Sequence, residues 1–297
     1  MLLNQQVYSF LYPFSFGFYR KFGYEHCNSI LEAKIPLRQM GRFPFPGAAQ
    51  AYEPGDDAGS YARLYETFAR GRNLSVVRDE GAWRRILDRD PYKKLQFTYL
   101  LGPKDSPTAY VLYDSKRVRG KSYSLYVKEL CFQSTQGLYD ALGFLGRLSP
   151  ECQHMFWNVP QGVNAHMLCS DLYDIELTEQ AFGMGRVVDV LAALGGLHAP
   201  THPSGGRVSI KVVDDFINEN TGFYQVEWES GTLSAKRLGM SVGACDLETS
   251  VMGLMQLVSG FATPEMAECR RDTIVSGNRE LLHALFAKRR MYIMERF

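Results

Sequence analysis

Apolar positions recur along the chain with two different spacings, which separate predicted helices from predicted strands. Between residues 58 and 70 they lie three or four positions apart, which predicts a helix with one buried face. That face carries Tyr61, Leu64, Tyr65 and Phe68. A second helix is predicted from Glu80 to Asp88, with Trp83, Ile86 and Leu87 on its apolar side. Further helices are predicted over 15–23, 136–148, 187–197, 251–260 and 278–290.

Short apolar or alternating runs, bounded by glycine and proline, predict the strands. They cover 6–14, 26–40, 95–102, 108–114, 123–132, 154–159, 175–189, 208–215, 222–230 and 232–239. The sequence GPKDSP after the third of these runs predicts a hairpin loop. Strands followed by helices in the last third of the chain predict an α+β domain there. The earlier part of the chain is predicted to be α/β.

Two stretches rich in glycine and proline divide the chain. Residues 46–57 and 198–205 are predicted as linkers, which leaves three folded segments, 1–45, 58–197 and 206–297. The first segment is too short to bury its own aromatic side chains. Nine of the seventeen residues from Tyr8 to Tyr24 are aromatic. We therefore expect this segment to pack against something else.

Composition excludes several classes of function. Hydrophobic residues make up 45% of the chain and charged residues 22%, as in an ordinary globular protein. A net charge of +1 gives no support for nucleic-acid binding. No apolar run reaches the ~20 residues of a membrane span, and the opening stretch lacks the pattern of a signal peptide. We therefore expect a cytoplasmic protein without a membrane segment.

The cysteines and histidines are scattered. The six cysteines form no CxxC pair, which favours reduced and mostly buried thiols. Among six histidines only His198 and His202 are close together, whereas a zinc site needs clustered ligands. The sequence therefore predicts no metal.

One segment resembles a known cofactor loop. Residues 123–148 form a predicted strand, a Gln/Ser/Thr/Gly loop and a helix, the layout with which GNAT acyltransferases bind the pyrophosphate of acetyl-CoA. Gly137 matches that pattern, but Ser134 replaces a basic residue and Tyr139 replaces a small one. A tyrosine side chain would fill the space that a phosphate needs. The resemblance thus implies a GNAT-like unit over 58–197 that has lost its cofactor loop.

The sequence YPFSFGFYRKFGYE makes the resemblance more specific. It is similar to the segment after the cofactor helix in the enhanced-intracellular-survival acetyltransferases, where a tyrosine lies in a short helix. Here that residue is Tyr19. Chains of that family end on phenylalanine, as this one ends on Phe297. The resemblance implies a partial catalytic GNAT unit over 1–45, a second, cofactor-less unit and a sterol-carrier-protein-like α+β domain over 206–297.

The same resemblance implies that roughly a hundred residues, including the acetyl-CoA loop, precede the aromatic run in the family. Met1 would then be an internal methionine or the start of a truncated gene, and the chain as given could be inactive. The implied reaction moves acetyl from acetyl-CoA to a primary amine of an aminoglycoside or a lysine-like molecule. The implied partners are that small-molecule amine and further copies of the chain.

The resemblance also assigns roles to residues. Tyr19 would be the general acid that protonates the departing thiolate, and the α-carboxylate of Phe297 would be the general base. Tyr12 and Phe14 lie where the family's substrate pocket falls. Arg296 departs from an acidic residue of some members, and Glu295 is the candidate to replace it in substrate binding.

A second hypothesis is a non-enzymatic protein. Sterol-carrier-like domains can hold apolar ligands between sheet and helices, and the helix predicted over 251–260 has an apolar stripe. Its members are Val251, Leu254, Met255 and Val258. They are typical of a core, but they could also floor an apolar cavity. Binding of acetyl-CoA separates the two hypotheses.

Overall fold

The structure is a computed structural model that describes residues 5–89, 91–117, 122–239 and 244–295 of the 297-residue chain. The chain forms two compact units. The split unit combines Met1–Ser29 with Ala181–Phe297, and the central unit spans Ile30–Gln180. Each unit is described by itself.

The helices and strands follow in chain order. The first part holds β1 (Tyr8–Leu11), α1 (Phe16–Arg20), β2 (Glu25–Pro36), β3 (Ala48–Ala51), α2 (Gly59–Ala69), α3 (Glu80–Leu87), α4 (Pro91–Lys94), β4 (Gln96–Gly102), β5 (Ala109–Arg117), β6 (Tyr123–Phe132), α5 (Thr135–Gly146) and β7 (Cys152–Val159). The second part holds β8 (Glu176–Val187), α6 (Val190–Gly195), β9 (Gly205–Val213), β10 (Gly222–Glu229), β11 (Thr232–Leu238), β12 (Leu247–Ser250), α7 (Val251–Val258), α8 (Pro264–Ala267), β13 (Thr273–Val275) and α9 (Arg279–Leu285).

Most of the predicted elements are confirmed, with differences at short elements. Strand β3 lies inside the stretch whose glycine and proline content predicts a linker. The short elements α4, α8, β12 and β13 have no counterpart in the sequence prediction. They hold three or four residues each, too few for a hydrophobic period to show. In the described part of the chain, no helix is long and apolar enough to cross a membrane.

The central unit is built on a mixed sheet in the order β2–β7–β6–β5–β4–β3. Strands β6 and β7 are parallel, and helix α5 connects them. The other neighbouring pairs in this sheet are antiparallel. The GPKDSP loop joins the antiparallel strands β4 and β5, which confirms the predicted hairpin.

Helix α5 packs closely on the chain segment that follows β2. Its apolar side chains, Leu138, Ala141, Leu142 and Leu145, belong to the buried core of the central unit. Two glycines permit this approach. A Cβ atom on Gly143 would lie 2.5 Å from the carbonyl oxygen of Phe43, and one on Gly146 would lie 2.7 Å from the carbonyl carbon of Met40.

Helix α2 buries the face that the sequence predicts. The side chains of Tyr61, Leu64, Tyr65 and Phe68 are all buried. Helix α3 buries Trp83 and Leu87, whereas Ile86, the third predicted member of its apolar side, is only half-buried.

The split unit contains two groups of strands. Strand β1 is antiparallel to β8, which has β2 as its next neighbour. A second sheet has the order β11–β10–β9–β12–β13, in which only the β9–β12 pair is parallel. This second sheet carries the predicted alternation, because Val208, Ile210 and Val212 are buried along β9 while the residues between them are not.

Helix α7 belongs to the core of the split unit. Its apolar stripe, Val251, Leu254, Met255 and Val258, is buried, with at most 9% of any of these residues exposed. The interpretation of this stripe as core is therefore confirmed. The last described segment of the chain is anchored too, since Met291, Tyr292 and Ile293 are buried.

Candidate functional site

The predicted acid Tyr19 lies in α1, a helix of five residues whose ends are both specified by the sequence. Ser15 is the N-cap, and its hydroxyl accepts a hydrogen bond from the Phe18 amide at 3.3 Å. After the helix, Gly23 adopts a φ of +76°, a conformation that favours glycine. The carbonyl oxygen of Tyr19 accepts hydrogen bonds from the amides of Phe22 at 2.9 Å and Tyr24 at 3.3 Å.

The ring of Tyr19 sits within an aromatic cluster. Its centroid lies 5.2 Å from that of Phe14, 5.3 Å from that of Phe18 and 6.0 Å from that of Tyr24. The rings of Phe14 and Tyr19 are thus in contact. Phe14 is 76% exposed, whereas Tyr19 is half-buried.

Tyr12 also lies at the surface of the split unit. Its ring meets that of Phe182 edge-on, with the centroids 4.9 Å apart, and the residue is 40% exposed. The segment from Tyr12 to Phe18 therefore presents aromatic surface to solvent. Exposed aromatic side chains of this kind suit contact with a ligand or another protein.

A buried carboxylate closes the turn that follows α1. Glu25 is only 2% exposed, and it accepts hydrogen bonds from Arg20 and from Arg270. Burial by itself would raise the pKa of Glu25. The hydrogen bonds from Arg20, from the His26 amide and from Arg270 outweigh burial and hold that pKa below its ordinary value. Glu25 is therefore a permanently charged anchor at neutral pH.

A second buried ion pair reaches the same turn. Arg186 donates to both carboxylate oxygens of Asp214, at 2.9 and 2.7 Å, and also to the carbonyl oxygen of Phe22. The side chains of Arg186 and Asp214 are 3% and 0% exposed. Asp214 lies just after strand β9, and it also accepts the amides of Phe216 and Ile217. Its partner lies 28 residues away, and no local pattern reveals such a pair.

The C-terminal segment lies against strand β2. The side-chain amide of Asn28 donates to the carbonyl oxygen of Ile293 at 3.4 Å. Glu295 is half-buried, and its Oε2 accepts the Met294 amide at 3.2 Å. Phe297, the predicted base, lies outside the described residues.

The start of helix α5, which resembles an acetyl-CoA loop, is closed by its own side chains. Ser134 is the N-cap, and its hydroxyl accepts the Gly137 amide at 3.2 Å. A Cβ atom on Gly137 would lie 2.7 Å from the carbonyl oxygen of Thr108, so this glycine serves close packing. The ring of Tyr139 stacks on Phe43 with the centroids 5.0 Å apart. These contacts account for Ser134, Gly137 and Tyr139 without a phosphate.

The central unit has a cavity of about 550 Å³ beside the start of α2 and the face of α3. Its charged lining groups are bound by neighbours. Arg78 pairs with Glu129, Arg84 pairs with Glu80, and Asp57 accepts the Gly59 amide. The predicted site residues are not among those that line it.

Neither a reactive Cys27 thiolate nor a group of metal ligands is found in the described part of the chain. Burial raises the pKa of the Cys27 thiol to about 12, so it stays protonated. Within the part of the chain that the structure describes, no three residues of the His, Cys, Asp or Glu types are grouped as a metal site would require.

Two family models match the sequence. The model of an acetyltransferase (GNAT) domain matches residues 74–187, and that of a sterol carrier protein domain matches residues 187–294. No curated protein matches the chain. The chain therefore combines a GNAT acetyltransferase fold with a C-terminal sterol-carrier-protein-like domain, which confirms the predicted fold class.

Solved structures agree with this fold. A GCN5-related N-acetyltransferase from Anabaena variabilis is similar with a TM-score of 0.86 and 19% identity, covering 100% of this chain and 74% of its own. One from Kribbella flavida gives a TM-score of 0.80 at 19% identity, covering 100% and 72%. Eis1 from Mycobacterium abscessus gives 0.76 at 19% identity, covering 100% and 75%. At these identities the likeness establishes the fold.

Proposed function

We propose that this protein is an N-acetyltransferase that moves acetyl from acetyl-CoA to the primary amine of an aminoglycoside or a lysine-like molecule. Tyr19 acts as the general acid and the α-carboxylate of Phe297 as the general base. Tyr12, Phe14 and Glu295 contact the amine substrate. We further propose that the protein is cytoplasmic and assembles into a homo-oligomer through exposed aromatic residues of the α1 region.

One observation carries this proposal: the C-terminal segment is bonded to strand β2 close to the point where the turn after Tyr19 enters that strand. Ile293 is bonded to Asn28, and Asn28 follows Tyr24 by four residues, or about 13 Å of strand. The four residues from Ile293 to Phe297 can span about 14 Å when extended. The chain is thus long enough for the terminal carboxylate to reach the turn at Tyr24, whose ring centroid lies 6.0 Å from that of Tyr19.

The two groups have complementary tasks in acetyl transfer. A primary amine is protonated at neutral pH and has no lone pair for attack, so a base must first remove a proton. The Phe297 carboxylate takes this proton. The amine nitrogen then forms a bond to the thioester carbonyl carbon, and the carbon–sulfur bond breaks. The Tyr19 hydroxyl protonates the departing thiolate and regains its proton from the acylated nitrogen. The reaction as a whole therefore releases one proton, the one that the Phe297 carboxylate removed.

The proposal places the acetyl-CoA pyrophosphate away from α5. The amide of Gly137 is already bonded to Ser134, and Gly137 is packed against Thr108. We propose that the pyrophosphate is held by residues that this sequence does not contain, so the natural protein in its source cells is the proper sample. Its intact mass, compared with 33.7 kDa, tests that part directly.

The principal test measures thiol release from acetyl-CoA by the protein isolated from its source, with a panel of aminoglycoside and lysine-like amines. Tyr19→Phe is expected to lower kcat by about 10²-fold, the range of general acid–base groups. Tyr8→Phe is the matched control, because Tyr8 belongs to the same unit and its hydroxyl lies 3.5 Å from a backbone carbonyl of Ala193. A glycine added after Phe297 is expected to abolish turnover by displacing the carboxylate.

Two results would contradict these roles. Unchanged kcat in Tyr19→Phe removes Tyr19 from the mechanism, and full turnover with the added glycine removes the carboxylate of Phe297. Absence of saturable acetyl-CoA binding by the native protein would contradict the acetyltransferase function itself.

A further inference from the structure

We infer that Glu25 and Arg186 are positioning residues for Tyr19, through which the sterol-carrier-like domain holds the catalytic turn in place. The inference rests on the proposed function for its catalytic consequence. The anchors on the domain side are Arg270 and Asp214. Neither of them touches Tyr19, and their effect passes through the turn from Arg20 to Glu25.

Helix α1 needs such anchors because it cannot hold itself. It has five residues and buries none of them, and a single isolated turn of helix is unstable in water. Besides the Ser15 cap and the Phe14 ring, the order of Tyr19 must therefore come from the chain that follows it. The Tyr19 carbonyl is bonded to the amides of Phe22 and Tyr24, so the geometry of this turn sets the place of Tyr19.

The first anchor is the carboxylate of Glu25. Its Oε1 accepts Arg20 Nη2 at 2.8 Å and the His26 amide at 2.8 Å, while its Oε2 accepts Arg270 Nη1 at 2.9 Å. Arg270 is itself oriented by two hydrogen bonds to Asp272, each 2.9 Å long. Charge-assisted hydrogen bonds to a buried carboxylate are strong and directional. Glu25 therefore joins α1, through Arg20, to the chain segment before β13.

The second anchor is the guanidinium of Arg186. One of its nitrogens donates to the Phe22 carbonyl, and the other is held by both oxygens of Asp214. Asp214 is fixed further by the side-chain amide of Asn220 at 2.9 Å. A planar guanidinium fork can serve both acceptors at once, which a lysine could not do with the same geometry.

Gly23 shows that the turn and Arg186 fit each other closely. A Cβ atom at Gly23 would lie 1.8 Å from Arg186 Nη1, so the guanidinium occupies the space of a side chain. The positive φ of Gly23 is a second reason for glycine at this position. The Arg270–Glu25 and Arg186–Asp214 ion pairs thus hold the six residues from Arg20 to Glu25, directly after the proposed acid.

Hydrogen–deuterium exchange and turnover together test the inference on the native protein. The variants are Asp214→Asn, Glu25→Gln and Arg270→Gln. The control is Glu268→Gln, which removes the half-buried carboxylate that is doubly bonded to the exposed Arg279 in the same unit. In the three variants, exchange at the amides of Phe22, Gly23 and Tyr24 should rise at least about tenfold, because local opening becomes easier. The control should leave that exchange unchanged.

The expected kinetic signature is a fall in kcat of about tenfold with the KM for the amine within about twofold, since misplacing a catalytic group costs rate rather than binding. If Asp214→Asn does not fold, Arg270→Gln replaces it in the test. Arg270 is 20% exposed, so its removal should destabilise the protein less. Unchanged exchange at the three amides overturns the inference whatever the turnover. Raised exchange with unchanged kcat overturns it as well.

A failure of the proposed function can be told apart from a failure of this inference. If Tyr19→Phe retains full kcat, Tyr19 is not the acid, while the exchange data still decide whether the two ion pairs order the turn.

Discussion

Helices α1 and α5 begin alike but are held in place by different forces. Each starts at a serine N-cap, with hydroxyl-to-amide distances of 3.3 Å at Ser15 and 3.2 Å at Ser134. Helix α5 then buries seven of its twelve residues, whereas α1 buries none of its five. A helix held by its apolar face has few side chains left for chemistry. A helix held through ion pairs in the following turn keeps its aromatic side chains available.

This difference explains why the two helix starts are unequal as sites. In the GNAT-like loop before α5, the Ser134 hydroxyl is bonded to the Gly137 amide, and Gly137 allows close packing against Thr108. The α1 region keeps Phe14 and Phe18 exposed and Tyr19 half-buried. The part of the chain that resembles a cofactor loop is therefore structural, whereas the α1 region leaves aromatic side chains exposed.

We expect the largest loss of stability from a substitution at Gly23, because it disturbs the turn that holds α1. Gly23→Ala places a methyl group on the Arg186 guanidinium and strains a backbone with φ of +76°. Disrupting a buried ion pair and forcing this conformation should lower the free energy of unfolding of the split unit by at least about 3 kcal/mol. Urea denaturation measures the loss.

The control for Gly23→Ala is Gly231→Ala. Gly231 has a φ of +86° in the same unit, but a Cβ atom there would meet nothing within 4 Å. It should cost only the backbone strain, about 1 kcal/mol. Equal losses in the two variants would show that Arg186 is not fitted tightly to the turn.

The second effect contrasts the two helices directly. Gly137→Ala in α5 brings a methyl group to 2.7 Å from the Thr108 carbonyl oxygen, so we expect a loss of about 2 kcal/mol in the central unit. Gly17→Ala in α1 meets nothing within 4 Å and should be neutral or stabilise by up to about 1 kcal/mol. Thermal denaturation followed by circular dichroism measures both. A stable Gly137→Ala protein would mean that the start of α5 is looser than its contacts indicate.

Periodicity predicts the parts of the fold that are built from single elements. The buried face of α2 and the core stripe of α7 follow from spacing alone, because one face of a long helix must be apolar. Arg186 and Asp214 could not be found in this way. Arginine at the end of a strand and aspartate before a turn are ordinary at the surface, and only the fold buries them together.

The candidate site was predictable in part and by resemblance. Tyr19 and Phe14 come from a segment that resembles a family, and the structure brings their rings together. The roles of all five residues stay predictions, including those of Tyr12, Glu295 and Phe297. The anchors Glu25 and Arg270 lie 245 residues apart, and no local signal connects them.

The third prediction concerns pH. The pKa of Glu25 is lower in the folded protein than its ordinary value of 4.5, so Glu25 adds stability above pH 4.5 and loses it as the pH falls through the folded value. Each unit of that shift corresponds to about 1.4 kcal/mol. We therefore expect the stability difference between wild type and Glu25→Gln to be constant near neutral pH and to shrink below pH 4.5. Urea midpoints at several pH values measure it, and a gap that widens on acidification would contradict the assigned charge.

We expect the smallest losses of stability from removing the two serine N-caps, the feature that α1 and α5 have in common. Ser134→Ala should cost about 1 kcal/mol in the central unit and Ser15→Ala about 0.5 kcal/mol in the split unit, since the α1 cap is exposed and its helix depends on the turn instead. Ser134→Ala also frees the Gly137 amide, while Thr108 still packs against Gly137. We therefore expect no gain in acetyl-CoA affinity by calorimetry. Tighter binding in this variant would mean that a single hydroxyl, rather than the packing of the loop, keeps a phosphate away from α5.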